Sequence, residues 1–307
     1  MDPIESINFK KDSSLAMLLE AQQRGYEIFY MQQEDLFLQD QNACANMTTL
    51  SVDNNPQQWF NFREQHTRPL SELDVILMRK DPPFDMNYIF STYLLELAEA
   101  QGTLIVNKPQ SLRDANEKLY TTWFSQCTVP SLVSSQSLPL RRFIDEQQDV
   151  ILKPLDGMGG TSIFRVQQGD PNTNVIIETL TNNNTKLAMA QRFIPEITQG
   201  DKRILLIDGQ PVPYALARIP SATDHRANLA AGGTGVGIEL SKRDHWICDQ
   251  VAPTLKAKGL IFVGIDVIGD YLTEINVTSP TCIRELDQQF NLNISASLMD
   301  CIEQKLQ

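Results

Sequence analysis

Leu152-Lys153-Pro154-Leu155-Asp156-Gly157-Met158-Gly159-Gly160-Thr161-Ser162 is the most informative stretch of the chain. An apolar run, Val150-Ile151-Leu152, enters a turn holding three close glycines, and Ser162-Ile163-Phe164-Arg165-Val166 leaves it as a second strand. Closely spaced glycines let successive backbone N–H groups turn inward around an anion, and Lys153 on the entering strand adds a point charge suited to phosphate. The segment is not a Walker loop, because no Gly-Lys-Ser/Thr follows and the next element reads as a strand. Alone, it is equally well a hairpin with a glycine-rich turn.

Outward from this turn, helical and strand-like segments alternate, which argues for an α/β or α+β fold. Asp12-Ser13-Ser14 can cap a helix through Leu15, Leu18, Leu19 and Gln22 that stops at Gly25, with Tyr26-Glu27-Ile28-Phe29-Tyr30 as the next strand. Residues 39–70 are polar and weakly periodic, a hairpin or a loop. Asp74-Val75-Ile76-Leu77-Met78 reads as a buried parallel strand, with Arg79, Lys80 and Asp81 at its C-terminal end, where open α/β sheets place ligands. A helix over Tyr88–Ala100 and a strand Leu104-Ile105-Val106 follow. Ser111-Leu112-Arg113-Asp114 is a capping-box pattern for a helix carrying Glu117 and Lys118, and a domain boundary falls there. Lys118 gains interest as a second phosphate lysine, since a lone helical lysine is ordinarily solvated. Further strands are expected at Ala188–Phe193 and Arg203–Ile207.

Tyr26–Tyr30 and Asp74–Met78 read as strands of one parallel sheet, and a right-handed crossover through the first helix requires a strand ahead of it. Leaving out an interior strand exposes two rows of unpaired backbone groups, so a short apolar segment ahead of Met1 is expected.

A second constellation lies in Gly264-Ile265-Asp266-Val267-Ile268-Gly269-Asp270-Tyr271-Leu272-Thr273-Glu274-Ile275-Asn276-Val277. A three-residue loop, Ile268-Gly269-Asp270, pairs 267 with 271 and 265 with 273. This register gathers the aliphatic side chains on one face, each worth roughly 2 kcal/mol when buried. It also puts Asp266, Glu274 and Asn276 on the opposite face, a set of hard oxygens suited to Mg²⁺. The bland alternative is a solvated acidic face, but the strongly apolar flanks argue for burial, where unpaired carboxylates are costly. Arg203 and Arg218 flank a strand pair turned at Asp208-Gly209, so they can converge at its open end. The small-residue tract Ile219–Gly235 is long enough to be a lid.

Composition narrows the field. The 307 residues are 42% hydrophobic and 21% charged, an ordinary globular mixture long enough for two or three packed units. A formal net charge of -12 argues against nucleic acid, which wants a clustered basic surface. No stretch approaches the ~20 apolar residues of a membrane span. Five scattered cysteines and three isolated histidines supply neither a disulfide frame, a zinc motif nor the parts of a serine triad. The chain reads as a soluble cytoplasmic protein with reduced thiols.

Together these pieces resemble the bacterial glutathione synthetases, carboxylate–amine ligases of the ATP-grasp type. The resemblance covers essentially the whole chain and is most specific at Met78–Asp85, Leu152–Gly160, Asn228–Gly233 and Glu274–Thr281. It implies an α/β ATP-grasp fold with an N-terminal Rossmann-like domain (1–111), a central lid subdomain (112–193) and a C-terminal catalytic subdomain (194–307). It further implies a cytoplasmic homotetramer acting on ATP, γ-glutamylcysteine and glycine through an acyl phosphate. Residue by residue, the match makes Lys118 and Lys153 phosphate ligands, Gly157, Gly159 and Gly160 a mobile loop over the phosphates, Gln191, Arg192, Phe193 and Ile194 the adenine hinge, and Asp201 a ribose contact. Asp266, Glu274 and Asn276 match ligands of two Mg²⁺ or Mn²⁺ ions, and Arg203 and Arg218 match groups at the reacting carboxylate. Arg79, Lys80, Asn228, Ser279 and Thr281 match substrate contacts. Thr234 stands where the family often has an arginine. A different ligase on the same fold would share the ATP and cation residues but not Arg79–Asp85, and a non-catalytic nucleotide binder would have lost the cation ligands.

Overall fold

The computed structural model describes residues 1–157, 159–220 and 234–307. The first helix, α1 (Ser13–Gln23), opens as its sequence requires, with the Asp12 carboxylate accepting the Leu15 amide at 2.6 Å. It leads to β1 (Ile28–Tyr30). The weakly periodic segment that follows is an extended hairpin: β2 (Leu36–Gln39) and the eleven-residue β3 (Asn42–Val52) and β4 (Phe60–Pro69). β3 pairs antiparallel with all three neighbours and buries Ala43, Ala45, Met47, Leu50 and Val52. β4 is mostly solvated, which hides its period from a reading by hydropathy. β5 (Val75–Leu77), α2 (Met86–Glu99) and β6 (Leu104–Val106) then form a strand–helix–strand unit whose two strands pair in parallel.

β1 and β5 do not share a ladder among the described residues, contrary to the expected single parallel sheet; β1 pairs antiparallel with β3 instead. A cleft of about 540 Å³ lies between them, lined by Ile28 and Tyr30 of β1, Val75 and Leu77 of β5, and Leu18 of α1.

The capping-box expectation at Ser111 needs correction. α3 spans Pro109–Asp114 with proline at its first turn, and Ser111 lies inside it, its hydroxyl donating to the Lys258 carbonyl. The helix ends before Glu117. Asn116 then caps a separate 3₁₀ helix, Leu119–Cys127, by accepting the amides of Lys118 and Leu119. Beyond it an antiparallel sheet of order β7-β10-β8-β9 is built from β7 (Ser131–Ser134), β8 (Asp149–Pro154), β9 (Phe164–Gln167) and β10 (Ala188–Arg192). α4 (Ser137–Gln147) and α5 (Thr173–Thr181) cover it, burying Leu140, Ile144, Ile177 and Leu180 against Val150, Leu152 and Val166. The glycine turn joins β8 to β9.

The largest sheet, β13-β12-β11-β14-β15, is antiparallel throughout: β11 (Asp201–Ile207), β12 (Gln210–Ile219), β13 (Thr234–Glu239), β14 (Phe262–Ile268) and β15 (Tyr271–Asn276). α6 (Lys242–Ala257) packs on one face through Ile247, Val251 and Leu255. α7 (Ile283–Phe290) and α8 (Ile294–Leu306) contribute Ile283, Leu286, Leu298 and Ile302 to the other core, shared with α1. The β14–β15 turn has two residues at its tip, not three: Ile268 faces Tyr271 and Val267 faces Leu272. A bulge at Thr273 then restores parity, so Asp266 stands opposite Glu274 and Gly264 opposite Asn276. The register differs from the expected one, yet the shared face survives.

The β11–β12 turn places Asp208 at φ 47 and Gly209 at φ 76, the paired left-handed residues of a type I′ hairpin. A methyl group on Gly209 would also meet the Lys256 side chain at 2.9 Å. Gly209→Ala is therefore expected to cost about 1–2 kcal/mol of stability, read as a lowered melting temperature.

Candidate functional site

Four charged side chains are buried where β11, β12 and β14 run side by side. Arg203 faces Asp266 across one ladder and Asp201 faces Arg218 across the other. Arg203 Nε donates to Asp266 Oδ1 at 2.5 Å and Arg203 Nη2 to Oδ2 at 3.0 Å, a bidentate pair. Arg218 Nη2 lies 2.8 Å from Asp266 Oδ2 and 2.5 Å from Asp201 Oδ2. The two arginines converge as expected, on a carboxylate. Burial pushes the Asp266 carboxyl up, but the two guanidiniums outweigh this and hold it well below the usual range. Asp201 goes the other way: burial raises it to about 7 against the pull of Arg218, and its Oδ1 has no partner among the described residues.

Lys153, 4% exposed, extends from β8 and donates to the Thr273 carbonyl at 3.4 Å, at the bulge between Asp266 and Glu274. Burial lowers its ammonium to about 8, with Glu274 opposing the shift. Lys118 Nζ lies 3.5 Å from Glu274 Oε1 and donates to the Gly157 carbonyl at 2.5 Å. Both lysines, the glycine turn and the Glu274 carboxylate thus meet at one place. The turn is tight: Gly159 and Gly160 have φ 63 and 80, and a Cβ on Gly157 would sit 2.8 Å from the Pro154 ring.

Asp266, Glu274 and Asn276 lie on one face, but Asp266 is engaged by both arginines. Among the described residues, no three His, Cys, Asp or Glu side chains cluster closely enough to hold a metal ion by themselves. The donors fit a magnesium ion that completes its shell with phosphate oxygens and water. The buried Asn276 Nδ2 is a donor with no partner among the described residues, a group left for an acceptor other than protein, while the Oδ1 of the same side chain is the atom that could ligate a cation.

The remaining residues sit around this centre. Gln191 is buried on β10 with Nε2 donating to Ser131 Oγ at 3.1 Å, Arg192 lies over the Tyr271 ring, and Phe193 stacks under the Arg165 guanidinium at 3.7 Å. Ile194 is buried where the chain leaves β10 for the largest sheet. Arg79 ties β5 to the turn after β15, donating to Ser14 Oγ at 3.0 Å and to the Pro280 carbonyl at 2.9 Å; its buried Nη1 has no partner among the described residues. Ser279 and Thr281 flank that proline, half-buried and exposed. Lys80 is spent on Asp2 at 2.6 Å. Asn228 and most of the expected lid lie outside the described residues. Asn116, Glu117 and Thr278 are site residues that sequence reasoning passed over, although Glu117 adjoins Lys118 and Thr278 lies in the Glu274–Thr281 stretch.

The chain is similar to known proteins. The model of the prokaryotic glutathione synthetase N-terminal domain matches residues 1–113, and that of the prokaryotic glutathione synthetase ATP-grasp domain matches residues 117–291. A glutathione synthetase of Pseudomonas syringae pv. tomato is 62% identical over 307 residues, covering 100% of this chain and 96% of the relative. One from Escherichia coli O6:H1 is 60% identical over 307 residues, with 100% and 97% covered. Among solved structures, the ATP-grasp ligase PsnB complexed with minimal precursor, Mg and ADP superposes with a TM-score of 0.61 at 18% identity over 95% of this chain and 93% of that one, a likeness of fold. With both family models together spanning nearly its whole length and relatives of this similarity, the chain belongs to the prokaryotic glutathione synthetase family.

Proposed function

We propose that the chain joins γ-glutamylcysteine to glycine with cleavage of ATP to ADP and phosphate. The observation that carries this reading is the convergence of two buried lysines, the glycine turn, the Asp266–Glu274 pair and two arginines. Lys118, Lys153 and the turn at Gly157, Gly159 and Gly160 hold the ATP phosphates. Gln191, Arg192, Phe193 and Ile194 bound the adenine, and Asp201 reaches the ribose. Asp266, Glu274 and Asn276 would hold two Mg²⁺ or Mn²⁺ ions, which would supply charge neutralisation at the phosphates. Arg203 and Arg218 hold the cysteinyl carboxylate of γ-glutamylcysteine in line with the γ-phosphoryl group. Its attack forms an acyl phosphate, and the glycine amine displaces phosphate. Arg79, with an unpaired donor, takes substrate together with Lys80, Ser279 and Thr281, and Asn228 joins them from outside the described residues. No enzyme nucleophile is required, so catalysis rests on positioning and charge. The family resemblance further supports a cytoplasmic homotetramer, and no described helix is long and apolar enough to cross a membrane.

Glu274→Gln removes a charge with little change of shape. It is expected to abolish glutathione formation, assayed as ADP release with γ-glutamylcysteine and glycine, while the circular dichroism spectrum stays that of the wild type. Near-normal turnover at saturating Mg²⁺ would sink the assignment.

Lys153 gives the reading a pH signature. Bound phosphates favour its charged form, so ATP binding near pH 8–9 should draw a proton onto the neutral Lys153 amine, whose pKa burial lowers to about 8. Affinity is expected to fall as pH rises through that value. Calorimetry in buffers of different ionisation enthalpy should show proton uptake in the wild type and none in Lys153→Met. In the unliganded protein, the folded state binds fewer protons than the unfolded chain between about 8 and 10.5, so Lys153 makes stability rise with pH across that window.

A further inference from the structure

Residues 116–118 join the N-terminal part of the chain to the central sheet, and each touches a different part of the site. Asn116 Nδ2 donates to the Leu155 carbonyl at 3.0 Å, beside the glycine turn, while its Oδ1 caps the 3₁₀ helix that Lys118 opens. The Glu117 carbonyl accepts the Ile275 amide at 2.8 Å. That amide lies between Glu274 and Asn276. The Glu117 Oε1 accepts the Thr278 hydroxyl at 3.1 Å, two residues beyond Asn276. Lys118 reaches the Gly157 carbonyl and the Glu274 carboxylate.

β15 is an edge strand, paired only with β14 in its sheet, so its outward amides need partners from elsewhere. The Glu117 carbonyl supplies one where both proposed cation ligands are carried. A single backbone bond leaves a connector free to pivot about it. The Glu117–Thr278 bond adds a second attachment three residues further along, and Asn116 fixes the other end at the glycine turn.

We propose that Asn116 and Glu117 are positioning residues that set the separation between Lys118 and the Glu274–Asn276 edge, so that phosphate lysine and cation ligands meet the same nucleotide. The inference rests on the assignment of Lys118, Glu274 and Asn276 given above. A misplacement of about 1 Å can lower a rate 10²-fold, and loss of a partner that orients metal ligands typically costs 10–100-fold in affinity.

The test compares Glu117→Ala, Glu117→Gln, Thr278→Val and the double variant Glu117→Ala/Thr278→Val in the full chain. Glu117→Ala and Thr278→Val are each expected to lower kcat about 10–100-fold and to weaken Mg²⁺-dependent binding of a non-hydrolysable ATP analogue about tenfold, with KM for γ-glutamylcysteine nearly unchanged. In the unliganded protein, hydrogen exchange at the Ile275 amide should quicken about tenfold in both. The double variant should be no worse than either single one, because one bond is lost in all three. Glu117→Gln keeps an oxygen that accepts from Thr278 and should restore kcat and exchange to near wild type. The proposal is overturned if Glu117→Ala and Thr278→Val leave kcat and Ile275 exchange unchanged, if their losses multiply, or if Glu117→Gln falls as far as Glu117→Ala. Should Glu117→Ala fail to fold, Thr278→Val and Glu117→Gln carry the comparison. Normal turnover by Glu274→Gln in the same assay would mark failure of the underlying site assignment, whatever the Glu117 variants do.

Discussion

Everything at the centre of this molecule depends on burying Arg203 and Arg218 together with Asp266 and Asp201. A lone charge removed from water is prohibitive in a protein interior, and a pair is tolerable only when geometry is close and remaining donors are used. Here Asp266 receives three contacts from two guanidiniums, and Asp201 receives the second arginine. These partners are cross-strand neighbours, so the network also locks register. Sliding β11 by one residue would send Arg203 into the aliphatic layer of Ile204, Leu206, Val263 and Ile265. Removing Asp266 would leave the buried Arg203 guanidinium without a carboxylate.

That locked register decides where the reacting groups stand. Because Asp266 is fixed by Arg203, Glu274 is fixed opposite it, and the Thr273 carbonyl at the bulge becomes the landing point for Lys153. Lys118 arrives from a different part of the chain and closes on the same carboxylate. An acidic protein, with a net charge of -12, thereby gathers two lysines and two arginines at one buried place, among the carboxylates of Asp201, Asp266 and Glu274. The low dielectric that makes these charges costly to bury also strengthens their action on a developing charge.

The PsnB ligase shares the fold at 18% identity, so fold alone does not choose a substrate. Arg79 bridges Ser14 and the Pro280 carbonyl, with one donor unpartnered among the described residues. It joins the N-terminal strand–helix unit to the turn after β15.

The sequence by itself determined the elements whose signals are local: the Asp12 helix cap, the apolar strands within 74–78, 104–106 and 150–154, the Asp208-Gly209 hairpin, and the glycine turn with Lys153. These follow from side chains that act within a few residues of themselves. Composition and motif also sufficed to place Asp266, Glu274 and Asn276 on one face. The Thr273 bulge was not legible, because a bulge and a longer loop preserve the same alternation and differ only in hydrogen bonds. The helix expected to carry Lys118 was misread because Ser111 has a capping pattern but spends its hydroxyl on Lys258, a partner 147 residues away. The capture of Asp266 by two arginines, the cleft between β1 and β5, and the hold of Glu117 on Ile275 and Thr278 were decided only by the tertiary structure. Each joins residues far apart in the chain, and no local spacing records which distant group will satisfy a buried charge or an open strand edge.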